Sequence, residues 1–172
     1  MIKRITAGLC ALALAVPAAA TAAESVTIGM VTTLSTKAGY LGEDIRDGFL
    51  LAVKQGGGSL GGVPVEVVVE DDERKPGKGK QIAERMMQRD GAKILTGVVF
   101  SNVAMAVVPG AVRDGALYVS ANAGPSKLAG RGCHENYFNV AWQNDNLHEV
   151  VGQYVSEQGM EDFVILAPNY PA

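Results

Sequence analysis

Short runs rich in Val and Ile alternate along this chain with stretches whose apolar residues recur at helical spacing. That alternation restricts the fold more than any other feature. Val26, Ile28 and Met30 alternate within SVTIGMV, a strand pattern. A polar, Gly-containing loop, TTLSTKAGYLGED, follows it. Leu41, Ile45, Phe49, Ala52 and Val53 then recur at helical spacing, and QGGGSLGG ends that helix. VPVEVVVED is β-branched and apolar enough to be a buried second strand. The polar loop DERKPGKG leads to a helix with Ile82, Ala83, Met86 and Met87 on one face. KILTGVVF reads as a third strand, and the helix after Ser101 carries Val103, Ala104, Val107, Val108, Ala111 and Val112. Pro109 lies inside that helix and removes a backbone hydrogen bond, which predicts a kink or a late helix end. GALYVSA is a fourth strand, NYFNVAW a short fifth and DFVILA a last one. Between the last two, Asn146-Leu147-His148-Glu149 has capping-box form. It opens a helix striped with Leu147, Val150, Val151, Tyr154 and Val155, which Gly159 ends. Strand and helix alternating at these spacings imply βαβ crossovers. The expected fold class is α/β, a doubly wound parallel sheet with helices on both faces.

The mean hydropathy of +0.13 is high for such a fold, and the excess lies at the start of the chain. Met1-Ile2-Lys3-Arg4 is basic, Ile5 to Val16 is nearly all apolar, and Pro17 and AAATAA follow. This is the three-part pattern of a secretory signal over residues 1–22, cleaved before Ala23. The apolar run is too short for a membrane anchor. A lipoprotein signal needs a small residue just before the cysteine, whereas Leu9 directly precedes Cys10. Removing Lys3 and Arg4 with the signal moves the formal charge from −3 to −5. A mildly acidic exported chain has no electrostatic reason to bind nucleic acid. Cys10 would leave with the signal, so Cys133 stands alone. It is either a buried free thiol or a residue whose partner lies beyond residue 172. The chain stops at NYPA directly after a strand-like run, as expected of a fragment or a truncated gene product.

Ligands of open parallel sheets bind beyond the carboxyl ends of the strands. Those ends here carry 32–42, 71–79, Ser101-Asn102, 120–125 and Asn169-Tyr170. Ser101 and Asn102 fall where a helix begins, and its first N–H groups lack intrahelical partners. Such an end attracts a carboxylate, and small polar side chains let it come close. A plain N-cap is the alternative. Ser120-Ala121-Asn122-Ala123-Gly124-Pro125 is a second small, polar loop, expected beside the first, with a structural turn as its alternative. No GxGxxG follows the first strand, and Gly77-Lys78-Gly79-Lys80 lacks P-loop spacing. Asp71-Asp72-Glu73 has no ring of ligands at calcium-loop spacing and reads as a solvated loop. His134 and His148 have no metal-binding partners at ligand spacing and read as surface residues. No Ser-His-Asp arrangement can be built, so neither a metal nor a cofactor nor catalysis is expected.

The segments LSTKAGYLGEDIRDGFLLAV, VVVEDDERKPGKGKQIAERMM, ILTGVVFSNVA, ALYVSANAGP and VILAPNYPA, in this order and spacing, resemble a known family. It is that of the type I periplasmic solute-binding proteins of ABC importers, of the leucine/isoleucine/valine-binding kind. The resemblance runs from Thr27 to the end. It implies two α/β lobes joined by crossover strands, with a ligand trapped between them. Residues 23–143 would form an incomplete first lobe, and 144–172 the crossover and the start of a truncated second lobe.

The resemblance also implies a set of ligand contacts. Ser101, with Asn102 beside it, would hold the ligand's charged groups together with the loop Asn122, Ala123 and Gly124. A Thr hydroxyl common in that loop aligns with Gly124, and Asn122 could replace it. An apolar contact would fall to Tyr40 or Leu41, and Tyr170 would edge the second lobe's side of the cleft. A first-lobe disulfide of some relatives corresponds to Arg74 and Phe100, so that bridge cannot exist here. The implied function is periplasmic capture of a branched-chain-type amino acid or related small carboxylate for an ABC permease in the inner membrane. Relatives that take aromatic acids or amides stay open, as does a ligand-sensing domain of the same fold. An exported enzyme on this fold is a third possibility, for which the sequence offers no candidate residue.

Overall fold

The computed structural model describes residues 24–167 and 170, so the signal reading of residues 1–22 lies outside the described residues. The strands are β1 (Val26–Thr32), β2 (Ser59–Leu60), β3 (Val63–Asp71), β4 (Ile94–Thr96), β5 (Leu117–Ser120) and β6 (Tyr137–Asn139). The helices are α1 (Tyr40–Gln55), α2 (Pro76–Gln88), α3 (Ser101–Arg113) and α4 (Asn144–Glu157). The sheet order is β2-β3-β1-β4-β5-β6. All neighbours pair in parallel except β2, which is antiparallel to β3. A Cβ on Gly29 would meet Met86 of α2, and one on Gly42 of α1 would meet Thr32. Successive strand residues point to opposite faces, so α1 covers one face and α2 the other. The sheet is doubly wound, as the alternation predicts.

The core lies between the sheet and the α2–α3 layer. Val31, Ile82, Met86, Leu95, Val103, Val107, Val108 and Tyr118 are all buried there. Pro109 neither ends α3 nor shortens it, since the helix runs on to Arg113. A proline inside a helix costs about 3 kcal/mol. Burying one valine recovers roughly 1.5–3 kcal/mol, and α3 buries Val103, Val107, Val108 and Val112. The packing outweighs the lost hydrogen bond.

Several elements depart from the sequence reading. The stretch QGGGSLGG does end α1, but Ser59–Leu60 then turns back onto β3 through Gly61-Gly62, both at positive φ (57° and 82°). A two-residue loop of this kind is a hairpin signature. Helix α2 starts at Pro76, inside the expected loop, because a first-turn proline loses no helical bond. Strand β4 stops at Thr96, since Gly97 turns to φ 99° where the backbone crowds Met30. Helix α4 begins at Asn144, and Gln143 caps it by accepting the Asn146 N–H at 3.0 Å, so Asn146 is not the cap.

The largest departure is at DFVILA. Residues 160–167 form no strand, and Val164, Ile165 and Leu166 are 86%, 77% and 93% exposed. A strand exists only by pairing, and among the described residues none lies alongside. Helix α4 buries none of its residues. Its apolar stripe and the 160–167 segment face an open groove of about 700 Å³, lined by residues such as Val151, Val155, Phe163 and Leu166. Such a surface promotes self-association. We therefore expect Val151→Asp to lower hydrophobic-dye binding and self-association of this chain. Its helicity and melting temperature should stay nearly unchanged, since exposed substitutions cost within about 0.5 kcal/mol. A large drop in melting temperature would show that this face is covered.

Candidate functional site

The parallel ladder brings the carboxyl ends of β3, β1, β4 and β5 to one rim. The turn after β3 shapes part of it. Thr32 of β1 lies opposite Asp71 of β3, so Thr33 and Asp72 emerge side by side. Asp72 is fully buried rather than solvated. Its Oδ1 accepts from Thr33 Oγ1 (2.6 Å) and from the Arg74 N–H (2.7 Å). Asp71 Oδ1 accepts from the N–H groups of Leu34 and Glu73, each at 2.9 Å. Glu73 and Arg74 both lie in the left-handed region, at φ 53° and 58°. Each such residue costs of order 1–3 kcal/mol. A hydrogen bond to a charged acceptor contributes about 1.5–3 kcal/mol, so the two aspartates can hold the strained turn. Arg74 in turn lies over the Phe100 ring, 4.2 Å from its centroid. The two positions that the resemblance pairs as cysteines are therefore in direct non-covalent contact.

The start of α3 is built differently from a plain cap. Phe100 is the N-cap, and no side chain caps the first turn. Its carbonyl accepts from Val103 and Ala104 N–H. Ser101 is the first helical residue, and its Oγ accepts from Asn144 Nδ2 at 3.0 Å, leaving the hydroxyl proton free to donate. The Asn102 N–H donates to Tyr170 Oη at 3.3 Å, and Asn102 Oδ1 is buried with no partner among the described residues. The second polar loop adjoins the first, because β4 and β5 pair and Asn122 Nδ2 donates to the Val99 carbonyl at 2.8 Å. Asn144 ties both together, since its own N–H donates to the Gly124 carbonyl at 2.9 Å.

Asn144 thus bridges Ser101 and Gly124, while Asn102 pairs with Tyr170 and Asn122 with the Val99 carbonyl. Ala123 is buried, and its carbonyl accepts from Ser120 Oγ (2.6 Å) and Tyr137 Oη (3.4 Å). Gly124 is pressed against the segment before α4, and a Cβ there would lie 2.0 Å from the Trp142 carbonyl oxygen. A threonine side chain would not fit there without a shift of that segment. Tyr40 (60% exposed) and Leu41 stand apart from this cluster at the start of α1, on the rim of the neighbouring strand β1. Sequence reasoning missed Asn144, whose role depends on a crossover contact with no local pattern. It also missed Asp72, which the register of β1 with β3 could have exposed. Cys133 is exposed and unpaired among the described residues, so the buried-thiol alternative fails. Both histidines are exposed.

Two opposing effects set the aspartates' ionisation. Burial pushes Asp71 up, but its hydrogen bonds from Leu34, Ser35 and Glu73 and the nearby Lys78 hold it below the ordinary carboxylate range. For Asp72 burial dominates, and its bonds from Thr33 and Arg74 do not bring it back down. The helix start offers the Ser101 hydroxyl as a donor, beside a loop in which Asn122 is half-buried and Ala123 and Gly124 are buried. Such a helix start suits a small anion.

The chain belongs to the periplasmic binding protein family, whose model matches residues 25–172. It is 29% identical to Leu/Ile/Val-binding protein homolog 3 of Brucella melitensis over 139 residues, covering 80% of this chain and 37% of that protein. Among solved structures, it is 32% identical to a solute-binding protein of an R. palustris ABC transporter in complex with benzoate, with a TM-score of 0.73. That match covers 79% of this chain and 38% of the other. An ABC transporter substrate-binding protein from Sphaerobacter thermophilus is 29% identical, with a TM-score of 0.70 and coverage of 80% and 38%. The fold is therefore that of the first lobe of a type I binding protein, and the chain spans well under half the length of these relatives.

The Asp72 environment has a measurable consequence. Its pKa is raised in the folded state, so the penalty for its charge is absent in acid and grows as pH rises through the folded value. Asp72→Asn keeps the acceptor for Thr33 and Arg74 and removes the charge. We expect it to raise the melting temperature at neutral pH and to lose that advantage below about pH 4, the unfolded range. Asp72→Ala should lower it at both pH values, by about 1–3 kcal/mol per orphaned donor. An Asn variant with the same offset at both pH values would contradict this account.

Proposed function

We propose that this protein is the periplasmic solute-binding component of an ABC importer, capturing a small amino acid or carboxylate for an inner-membrane permease. The observation that carries the reading is the start of α3. There the Ser101 hydroxyl, whose proton Asn144 does not engage, lies at a helix start beside the loop at Asn122–Gly124. Family membership supports a transport role rather than catalysis. The relatives' names supply two ligand classes, branched-chain amino acids and benzoate. Residues 1–22 would direct export and be removed, 23–143 would form the first lobe, and 144–172 would open the second. Binding would then draw on hydrogen bonds to the anion and apolar burial, with lobe closure committing the ligand.

The test is a thermal-shift screen of amino acids and aromatic acids on the protein as its gene encodes it, followed by calorimetry. Ser101→Ala is expected to weaken the best ligand by about 1–3 kcal/mol, the cost of an unpaired buried polar group. An unchanged affinity would remove Ser101 from the site.

A further inference from the structure

The segment between β6 and α4 is fastened before the helix begins. Asn139 Oδ1 accepts from the Ala141 N–H at 3.0 Å, and Asn139 Nδ2 donates to the Trp142 carbonyl at 2.9 Å. The Asn144 N–H donates to the Gly124 carbonyl at 2.9 Å. Asn144 is the first residue of α4, and Gln143 caps that helix. The Asn144 side chain therefore leaves a backbone that is held on both sides. Its Nδ2 donates to Ser101 Oγ at 3.0 Å. Ser101 is only 5% exposed, and its hydroxyl donates to no group among the described residues. A serine hydroxyl has one proton and two lone pairs. Here the amide of Asn144 takes a lone pair, and the proton is left to point elsewhere.

We propose that Asn144 is a positioning residue: by donating to Ser101 Oγ it fixes that hydroxyl as a donor, so that the site takes a carboxylate in preference to the matching carboxamide. The proposal rests on the reading of Ser101 as part of the ligand site. A hydroxyl left to itself presents either its proton or a lone pair. One that already accepts from an amide N–H presents its proton, and the first bond strengthens the second. A carboxylate offers only lone pairs and carries charge, so the bond it accepts is stronger than one to a neutral carbonyl. A carboxamide also brings N–H donors, for which Ser101 has one lone pair fewer. Asn144 acts through Ser101 and need not touch the solute. The direction of one buried hydrogen bond thus selects the ligand's chemistry.

The experiment is calorimetric titration of the protein as its gene encodes it, at low and high salt. The probes are benzoate with benzamide and leucine with leucinamide, and the variants are Asn144→Asp, Asn144→Ala and Ser101→Ala. An acid in the first turn of a helix is favourable, so Asn144→Asp should keep the melting temperature. Its carboxylate accepts the Ser101 proton and reverses the bond. We expect Asn144→Asp to weaken the acid of the bound pair about tenfold or more and its amide by less than about threefold. That difference should persist at high salt, where simple charge repulsion is screened. Asn144→Ala leaves the hydroxyl unheld but able to donate, and should weaken the acid only about threefold. An unchanged acid affinity in Asn144→Asp would mean that the hydroxyl already donates to position 144, and overturns the proposal. An equal loss of acid and amide, or a difference that vanishes at high salt, overturns it too. Acid binding that falls with Ser101→Ala but with neither Asn144 variant rejects Asn144 and keeps the anchor. A protein that binds neither pair, in a screen of amino acids and aromatic acids, rejects the functional reading itself.

Discussion

Everything at the rim depends on the parallel pairing of β1 between β3 and β4. A parallel ladder has one polarity, so each strand delivers its following loop to the same edge of the sheet. The register of β1 with β3 sets Thr33 beside Asp72. The pairing of β4 with β5 sets the start of α3 beside the Asn122 loop. An antiparallel arrangement of the same segments would scatter these loops over both edges. The site is thus a consequence of chain direction before it is a consequence of any one side chain.

Two fastenings then sharpen that edge. On one side, paired aspartates convert an unfavourable backbone turn into a fixed support for Arg74 and, through its stacking contact, for Phe100. On the other, Asn144 holds Ser101 through its side chain and Gly124 through its backbone. Both fastenings are made by residues that need never touch a solute, and both bear on α3. The helix start is thereby held in place from two directions.

Much of this fold was legible because α/β chains write their elements as local periodicities. Val26, Ile28 and Met30 declare a strand, and the spacing of Val103, Val107 and Ala111 declares a helix, with no knowledge of neighbours. The misreadings occur where a neighbour decides. DFVILA has the composition of a strand, but composition cannot supply the partner that a strand needs. Asp72 carries a charge and looks solvated, yet the strand beside it closes over it. Pro109 reads as a helix breaker until the valines around it are seen to be buried. At the candidate site, Ser101 and Asn122 stand out as small polar residues at strand ends. Asn144 and Arg74 act through contacts between segments far apart in sequence, which no local pattern encodes.

The tight fit at Gly124 bears on how such a protein can diversify. A methyl group there would already collide with the Trp142 carbonyl, so position 124 is closed to drift unless residues 140–143 shift with it. Asn122, which is only partly buried and held by one side-chain bond, is far freer to vary. In this chain, a single substitution in the loop is therefore tolerated more readily at position 122 than at 124.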